Sequence, residues 1–114
     1  MRSLAVVCAL FAATACGGHR DGQIDDVIGA ACTRDDDCAE RCFIDPNDLP
    51  QGFCSVRCVS DNDCPDDTYC MAENEGICMF ACPEFDCSRL GLGWFCRERS
   101  RINGAGTVHV CSGD

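Results

Sequence analysis

Apolar and polar positions divide this chain into three regimes. Residues 4–13 form an apolar run between a positive start, Met1-Arg2-Ser3, and the small residues Ala13-Thr14-Ala15 that precede Cys16. This is the layout of a cleavable signal peptide, and the run is too short for a bilayer, which needs about 20 apolar residues. Residues 17–31 contain no cysteine and are rich in Gly and Asp. That composition predicts a flexible tether whose root-mean-square reach, for about 15 residues of coil, is roughly 20 Å. Beyond residue 32, strand-like pairs such as Phe53-Cys54 and Ile77-Cys78 each follow a glycine, Gly52 and Gly76, where positive φ would let the chain turn tightly. Near the C-terminus, 94–102 and 107–110 flank Asn103-Gly104-Ala105-Gly106. An Asn-Gly step between two such segments predicts a β-hairpin.

Composition explains why so little apolar sequence suffices. The chain has 114 residues and 14 cysteines. A cysteine share above roughly 8–10 % marks a disulfide scaffold, because a small domain buries too little surface to fold on burial alone. Closing a loop of about 15 residues removes on the order of 3 kcal/mol of unfolded-state entropy in the chain-entropy model. Disulfides persist outside the cytosol, so the protein is expected to be exported. The formal net charge is -10, and every cation is Arg. Nucleic acid and anionic lipid surfaces both require a basic face, so neither is expected as a partner held by charge.

The cysteines after the leader are odd in number only because of Cys16, since the 12 from Cys32 onward can all pair. Ala13-Thr14-Ala15-Cys16 resembles a bacterial lipobox, with Ala13 where that motif usually has Leu. The resemblance implies that Cys16 is diacylated and becomes the mature N-terminus, anchoring the protein to a membrane. Each buried methylene contributes about 0.8 kcal/mol, so two or more acyl chains hold stably. Gly17 rather than Asp after the cysteine implies, by the same resemblance, the outer membrane of a cell envelope. Ordinary cleavage at Ala13-Thr14-Ala15 would instead make the protein secreted.

The remaining cysteines fall as 32, 38, 42, 54, then 58, 64, 70, 78, then 82, 87, 96, 111. Repetition at this spacing means one supersecondary unit used several times. Unit openings read Cys32-Thr-Arg-Asp-Asp-Asp-Cys38, Cys58-Val-Ser-Asp-Asn-Asp-Cys64-Pro65 and the shortened Cys82-Pro-Glu-Phe-Asp-Cys87. The Asp before each second cysteine suits a turn in which its carboxylate accepts backbone N–H groups. The pattern Gly-x-Cys-x3-Cys-x2-Asp-x-Asp-Cys-Pro resembles the cysteine-rich repeats of myxobacterial and related deltaproteobacterial lipoproteins, themselves similar to the Dickkopf N-terminal cysteine-rich region. Residues 54–70 also resemble the middle of a whey-acidic-protein domain, although the adjacent Cys-Cys pair of that family is absent. This second resemblance implies first-to-third and second-to-fourth pairing: Cys32 with Cys42, Cys38 with Cys54, Cys58 with Cys70, Cys64 with Cys78, Cys82 with Cys96 and Cys87 with Cys111. Spacing alone leaves many other connectivities open.

The predicted fold is small and disulfide-rich: three concatenated four-cysteine units of turns and short β-hairpins, with little helix outside the signal peptide. Its organisation is a signal peptide at 1–15, a lipidated cysteine and tether at 16–31, and a cysteine-rich module at 32–111 with units 32–54, 58–78 and 82–111. Only three residues, Ser55-Val56-Arg57, join the first unit to the second. Under the implied pairing no disulfide crosses them, so orientation would rest on non-covalent contacts.

Candidate chemistry is sparse. Arg97, Arg99 and Arg101 alternate and so share a strand face, with Trp94 and Phe95 just before them. They form the candidate contact surface, against the simpler possibility that these arginines pair with the module's own acids. No Cys-x2-Cys occurs, which removes zinc-ribbon and thioredoxin-type chemistry. His19 falls in the tether and His109 alternates with Val108 and Val110, neither beside a nucleophile. Asp35, Asp36, Asp37, Asp61, Asp63, Asp66 and Asp67 are hard oxygen ligands of the kind calcium takes, but lack the EF-hand pattern. Turn capping accounts for them more simply, so no metal, cofactor or catalytic residue is expected. The functional expectation is a lipid-anchored, non-enzymatic binding or structural module at the cell surface, with an unidentified protein or extracellular ligand as partner. The alternative is a secreted protease inhibitor of whey-acidic-protein type, presenting residues 43–53 as an exposed reactive loop.

Overall fold

The computed structural model describes residues 23–113. The signal peptide, Cys16 and His19 lie outside the described residues. Each unit contributes one two-stranded antiparallel hairpin: β1 (Arg41–Asp45) with β2 (Leu49–Ser55), β3 (Thr68–Met71) with β4 (Ile77–Phe80), and β5 (Phe95–Ser100) with β6 (Thr107–Ser112). Helix among the described residues is limited to short 3-10 turns, including Asp35–Asp37, Asp61–Asp63 and Cys87–Leu90. The predicted C-terminal hairpin is present, with Asn103 at φ 56 in its turn, and its second strand runs to Ser112 rather than stopping at Val110.

The three hairpins share one cysteine layout. In each, the third and fourth cysteines stand opposite one another in the ladder: Cys42 and Cys54, Cys70 and Cys78, Cys96 and Cys111. They do not bond to each other. Each reaches back to the loop before the hairpin, so the bonds join Cys32 to Cys42, Cys38 to Cys54, Cys58 to Cys70, Cys64 to Cys78, Cys82 to Cys96 and Cys87 to Cys111. Every bond stays inside its own unit.

The opening loops fold against their hairpins through the Asp-x-Asp-Cys motif. Asp37 accepts the backbone N–H groups of Thr33 and Arg34, and Asp63 those of Val59 and Ser60. The first Asp of each motif reaches further: Asp35 accepts the N–H of Cys42 at 2.9 Å, and Asp61 that of Cys70 at 2.8 Å. In both units, therefore, one carboxylate builds the turn and the other ties it to the third cysteine. Gly52 and Gly76, at φ +78 and +114, press against the carbonyl of their unit's first cysteine, leaving no room for a Cβ.

The residues of all three units join one hydrophobic core. A row of aromatic rings runs through it. Phe53 of unit one lies edge-on to Phe80 of unit two at 6.4 Å and against Trp94 of unit three at 5.1 Å, and Phe80 stacks on Phe85 at 4.0 Å. The three-residue joint adds hydrogen bonds: Ser55, fully buried, donates its hydroxyl to the Cys78 carbonyl at 2.7 Å, and the Cys78 N–H donates to Val56.

The tether prediction requires correction. Its last residues belong to the module: Ile28 is fully buried, the Gly29 N–H donates to the Cys54 carbonyl at 2.8 Å, and the Cys54 N–H donates to Ala30. Asp25 caps this turn by accepting from Val27 and Ile28. Ile24 and Val27 are partly buried against the same core, and full burial of one such side chain, as at Ile28, is worth about 1.5–3 kcal/mol, which favours order in a short segment that composition alone marks as polar. The module likewise extends past residue 111, since Ser112 is fully buried.

Candidate functional site

The predicted contact surface of Trp94, Arg97, Arg99 and Arg101 is mostly taken up inside the molecule. Trp94 is only 5 % exposed, packed on Phe53, with its indole N–H donating to the Gln51 side chain at 3.3 Å. Large aromatic area is worth more in the core than on the surface, and the one polar atom of the ring is satisfied there. Arg99 donates to Ser112 Oγ and the Gly113 carbonyl at 3.0 Å each, and pairs with Asp48 at 3.4 Å and Glu73 at 3.7 Å. Arg101 pairs with Asp61 and lies over the Tyr69 ring at 5.4 Å. Arg97 stands over Phe95 at 5.2 Å on an exposed stretch of β5. Alternation predicts one strand face for Arg97, Arg99 and Arg101, but β5 ends at Ser100 and only the first two lie on it. Nor could alternation reveal that acids of units one and two meet that face, and two of the three arginines fasten units together.

Glu73 shows how tight that junction is. Its side chain is 12 % exposed, and Oε1 is buried without a hydrogen-bond partner. Burial pushes its carboxyl above the ordinary glutamate range, opposed in part by the Arg99 charge.

Residues 43–53 form most of the β1–β2 hairpin, with Ile44, Pro46, Asn47 and Gln51 exposed. Phe43 and Phe53 face each other across the ladder and are buried, as is Leu49. The tip is fastened to unit three, because Asp48 pairs with Arg99 and its carbonyl accepts the Gly113 N–H at 2.7 Å. One side of the segment is thus packed on the core while its tip stays exposed.

The acids considered for calcium divide by what they touch. Asp35, Asp37, Asp61 and Asp63 spend oxygens on backbone N–H groups, which for Asp37 lowers the carboxyl pKa. Asp86, before the second cysteine of unit three, turns forward instead and accepts from the Ser88 hydroxyl and N–H, which lowers its pKa as well. Asp66 and Asp67 are different: both are exposed and border a cleft.

That cleft, of about 510 Å³, lies between the opening loops of units two and three. Asp66, Asp67 and Glu84 edge it, Tyr69 and Phe85 supply aromatic surface, and Arg89 stands over the Phe85 ring at 4.7 Å. Local turns shape both sides. The Thr68 hydroxyl and N–H donate to the Pro65 carbonyl, Asp67 takes φ 71, and its carbonyl accepts the Ala81 N–H at 2.9 Å, binding the unit-two turn to the start of unit three. Phe85 is held by its stack on Phe80. Both rings are already covered by groups of the chain itself: Phe85, only 4 % exposed, by Phe80 and Arg89, and Tyr69 by Arg101. Sequence supplied a partial signal, the acids of Cys64-Pro65-Asp66-Asp67 just past the second cysteine of unit two and Glu84 in the opening of unit three. Their approach depends on how unit three docks.

Comparison with known proteins finds no matching family, no matching curated protein and no matching solved structure.

Proposed function

We propose that this protein is an exported, lipid-anchored module of the bacterial cell envelope that acts by binding rather than by catalysis. The observation that carries the reading is the cysteine arrangement: all 12 cysteines among the described residues are joined in six bonds, and none is free. Such a framework forms and persists only where the surroundings are oxidising, so it supports export. It also leaves Cys16 without a partner inside the module, which favours lipid as its modification. The resemblance to deltaproteobacterial cysteine-rich lipoproteins points the same way, as does Gly17 for the outer membrane.

The module is built to hold surface side chains in fixed positions. Disulfides staple each unit, and the shared aromatic core and the Arg99 and Arg101 ion pairs join the units to one another. Rigid presentation lowers the ordering cost of association, which is how small stapled scaffolds bind well. The anchor is tested by expressing the chain in a bacterium with and without globomycin. A lipidated protein accumulates as precursor under the drug, gives a diacylated Cys16 peptide by mass spectrometry, and leaves the membrane fraction when Cys16→Ser is introduced; unmodified processing after Ala15 overturns the anchor. Binding is tested by crosslinking the native envelope and recovering the protein with its neighbours.

A further inference from the structure

We propose that unit three is a thiol-operated switch. A thiolate from outside enters at Cys96 and converts the pairs Cys82–Cys96 and Cys87–Cys111 into Cys82–Cys87 and Cys96–Cys111. The inference goes beyond the binding reading and does not depend on it. Among the described residues Cys96 is the only exposed cysteine; Cys38, Cys42 and Cys64 are half-buried and the rest are buried. Its own partner Cys82 is 5 % exposed, and Cys82, Cys87 and Cys111 all belong to the hydrophobic core, whereas Cys96 does not. Exchange starts by attack of a thiolate on a sulfur it can reach, so Cys82–Cys96 is the bond open to it.

Two features of the geometry carry the exchange onward. The sulfurs of Cys82, Cys87 and Cys96 all lie within 4.8 Å of one another, so the two disulfides of the unit abut. Cys96 and Cys111 stand opposite one another in the β5–β6 ladder. The Arg101 N–H donates across that ladder to Gly106, while the His109 carbonyl points away from it to the Cys82 N–H. Counting by twos along the unbroken register puts Cys96 and Cys111 in a non-hydrogen-bonded pair, like Glu98 and His109. Such pairs have Cα atoms about 4.5 Å apart and the closer side chains, within the span of about 4.4–6.8 Å that a disulfide bridges.

The steps balance. The outside thiolate attacks Cys96 Sγ, the Cys82–Cys96 bond breaks, and Cys82 leaves as a thiolate while Cys96 carries the mixed disulfide. Cys82 then attacks Cys87 Sγ and expels Cys111 as a thiolate. Cys111 attacks Cys96 Sγ, closes the cross-strand bond and returns the outside thiolate. One disulfide forms for each that breaks, no electron is gained or lost, and the thiol acts as a catalyst. Both native bonds tie the opening loop of unit three to its hairpin; after exchange the loop closes on itself. Phe85 would then rest on its stack with Phe80 and its contact with Arg89, so one wall of the cleft is released from covalent restraint. Units one and two have the same abutting sulfurs but no exposed cysteine at which to begin.

The test uses the full mature chain, oxidised and held in detergent, with millimolar glutathione at about pH 8, where a free thiol is partly thiolate. Samples are quenched with acid and mapped without reduction, cleavage after Glu84 or Phe85 separating Cys82 from Cys87. A glutathione adduct is expected at Cys96 at least tenfold faster than at any cysteine of units one and two. Peptides joined through Cys82–Cys87 and Cys96–Cys111 are expected to follow, with the bonds of units one and two unchanged. In Cys82→Ser/Cys96→Ser, attack on Cys87–Cys111 is expected to slow at least tenfold, because its point of entry is gone. Adducts that form first or equally in another unit overturn the proposal. So does a Cys96 adduct with no exchanged peptides, the absence of any adduct, or attack on Cys87–Cys111 as fast in the double variant as in the unaltered chain. Mapping of the unaltered chain decides the matter even if the variant fails to fold.

Discussion

Single residues carry much of this fold, because a short chain with many turns has few ways to satisfy its backbone. Gly52 and Gly76 combine positive φ with a carbonyl that a Cβ would meet at 2.0 and 2.3 Å. Alanine at either position must move the first cysteine of its unit. Gly52→Ala and Gly76→Ala are each expected to cost several kcal/mol, beyond the ~1–2 kcal/mol of a left-handed alanine alone, and to scramble the disulfides on refolding. Peptide mapping without reduction checks this. The titrating residues divide by sign. Glu73, raised above 4.5 by burial, contributes stability that is complete below 4.5 and is lost as pH rises through its higher folded value. Asp37 and Asp86, lowered from 3.8 by hydrogen bonds, contribute stability present above 3.8 and lost as pH falls through their folded values. The thermal midpoint is therefore expected to rise as pH falls from 7 toward 4.5 and to drop below 3.8. Glu73→Gln should flatten the first limb and leave the second.

At the scale of elements, each unit is an opening loop stapled to a hairpin, and in units one and two the hydrogen bonds of the Asp-x-Asp-Cys motif do the local fastening. Its two acids were legible as turn formers, since their spacing before the cysteine recurs in units one and two. That the first of them reaches the third cysteine was not legible, because Asp35 and Cys42, like Asp61 and Cys70, meet only after the hairpin folds back. The two sites differ in one respect that can be measured. Asp35 serves its own unit, whereas Asp61 also pairs with Arg101 of unit three. Asp61→Ala is expected to destabilise by about 1–3 kcal/mol and Asp35→Ala by less, because only the former also strands a cation. Denaturant titration of the two variants side by side decides it. The C-terminal hairpin was legible from Asn103-Gly104, a step that favours left-handed backbone in any context.

For the whole molecule, the question is whether three stapled units are beads or one body. No disulfide connects them, yet Phe53, Phe80, Phe85 and Trp94 form one aromatic row and Arg99 joins Asp48 of unit one to Glu73 of unit two. One cooperative transition is expected in calorimetry, with Trp94 fluorescence following it; separate transitions would show the units to be independent. Arg99→Gln leaves both acids and the Gly113 carbonyl without their shared donor. It is expected to lower stability by about 1–3 kcal/mol while all six native disulfides still form. Arg99→Lys should rescue little, since one ammonium cannot span the positions the guanidinium fork covers.

Cysteine spacing, glycine placement and Asp-Cys turns determined the class of fold and the repeated unit, because loop entropy and backbone sterics act within a few residues and can be read there. The fate of Trp94, Arg99, Arg101 and residues 24–30 was decided only in three dimensions. Each is governed by a partner from another unit: Phe53 for Trp94, Asp48 and Glu73 for Arg99, Asp61 for Arg101, and the Cys54 backbone for Gly29 and Ala30. The same holds for the cleft, whose two walls are local in sequence and whose width is set by the docking of unit three, a consequence of shared burial that no single unit encodes.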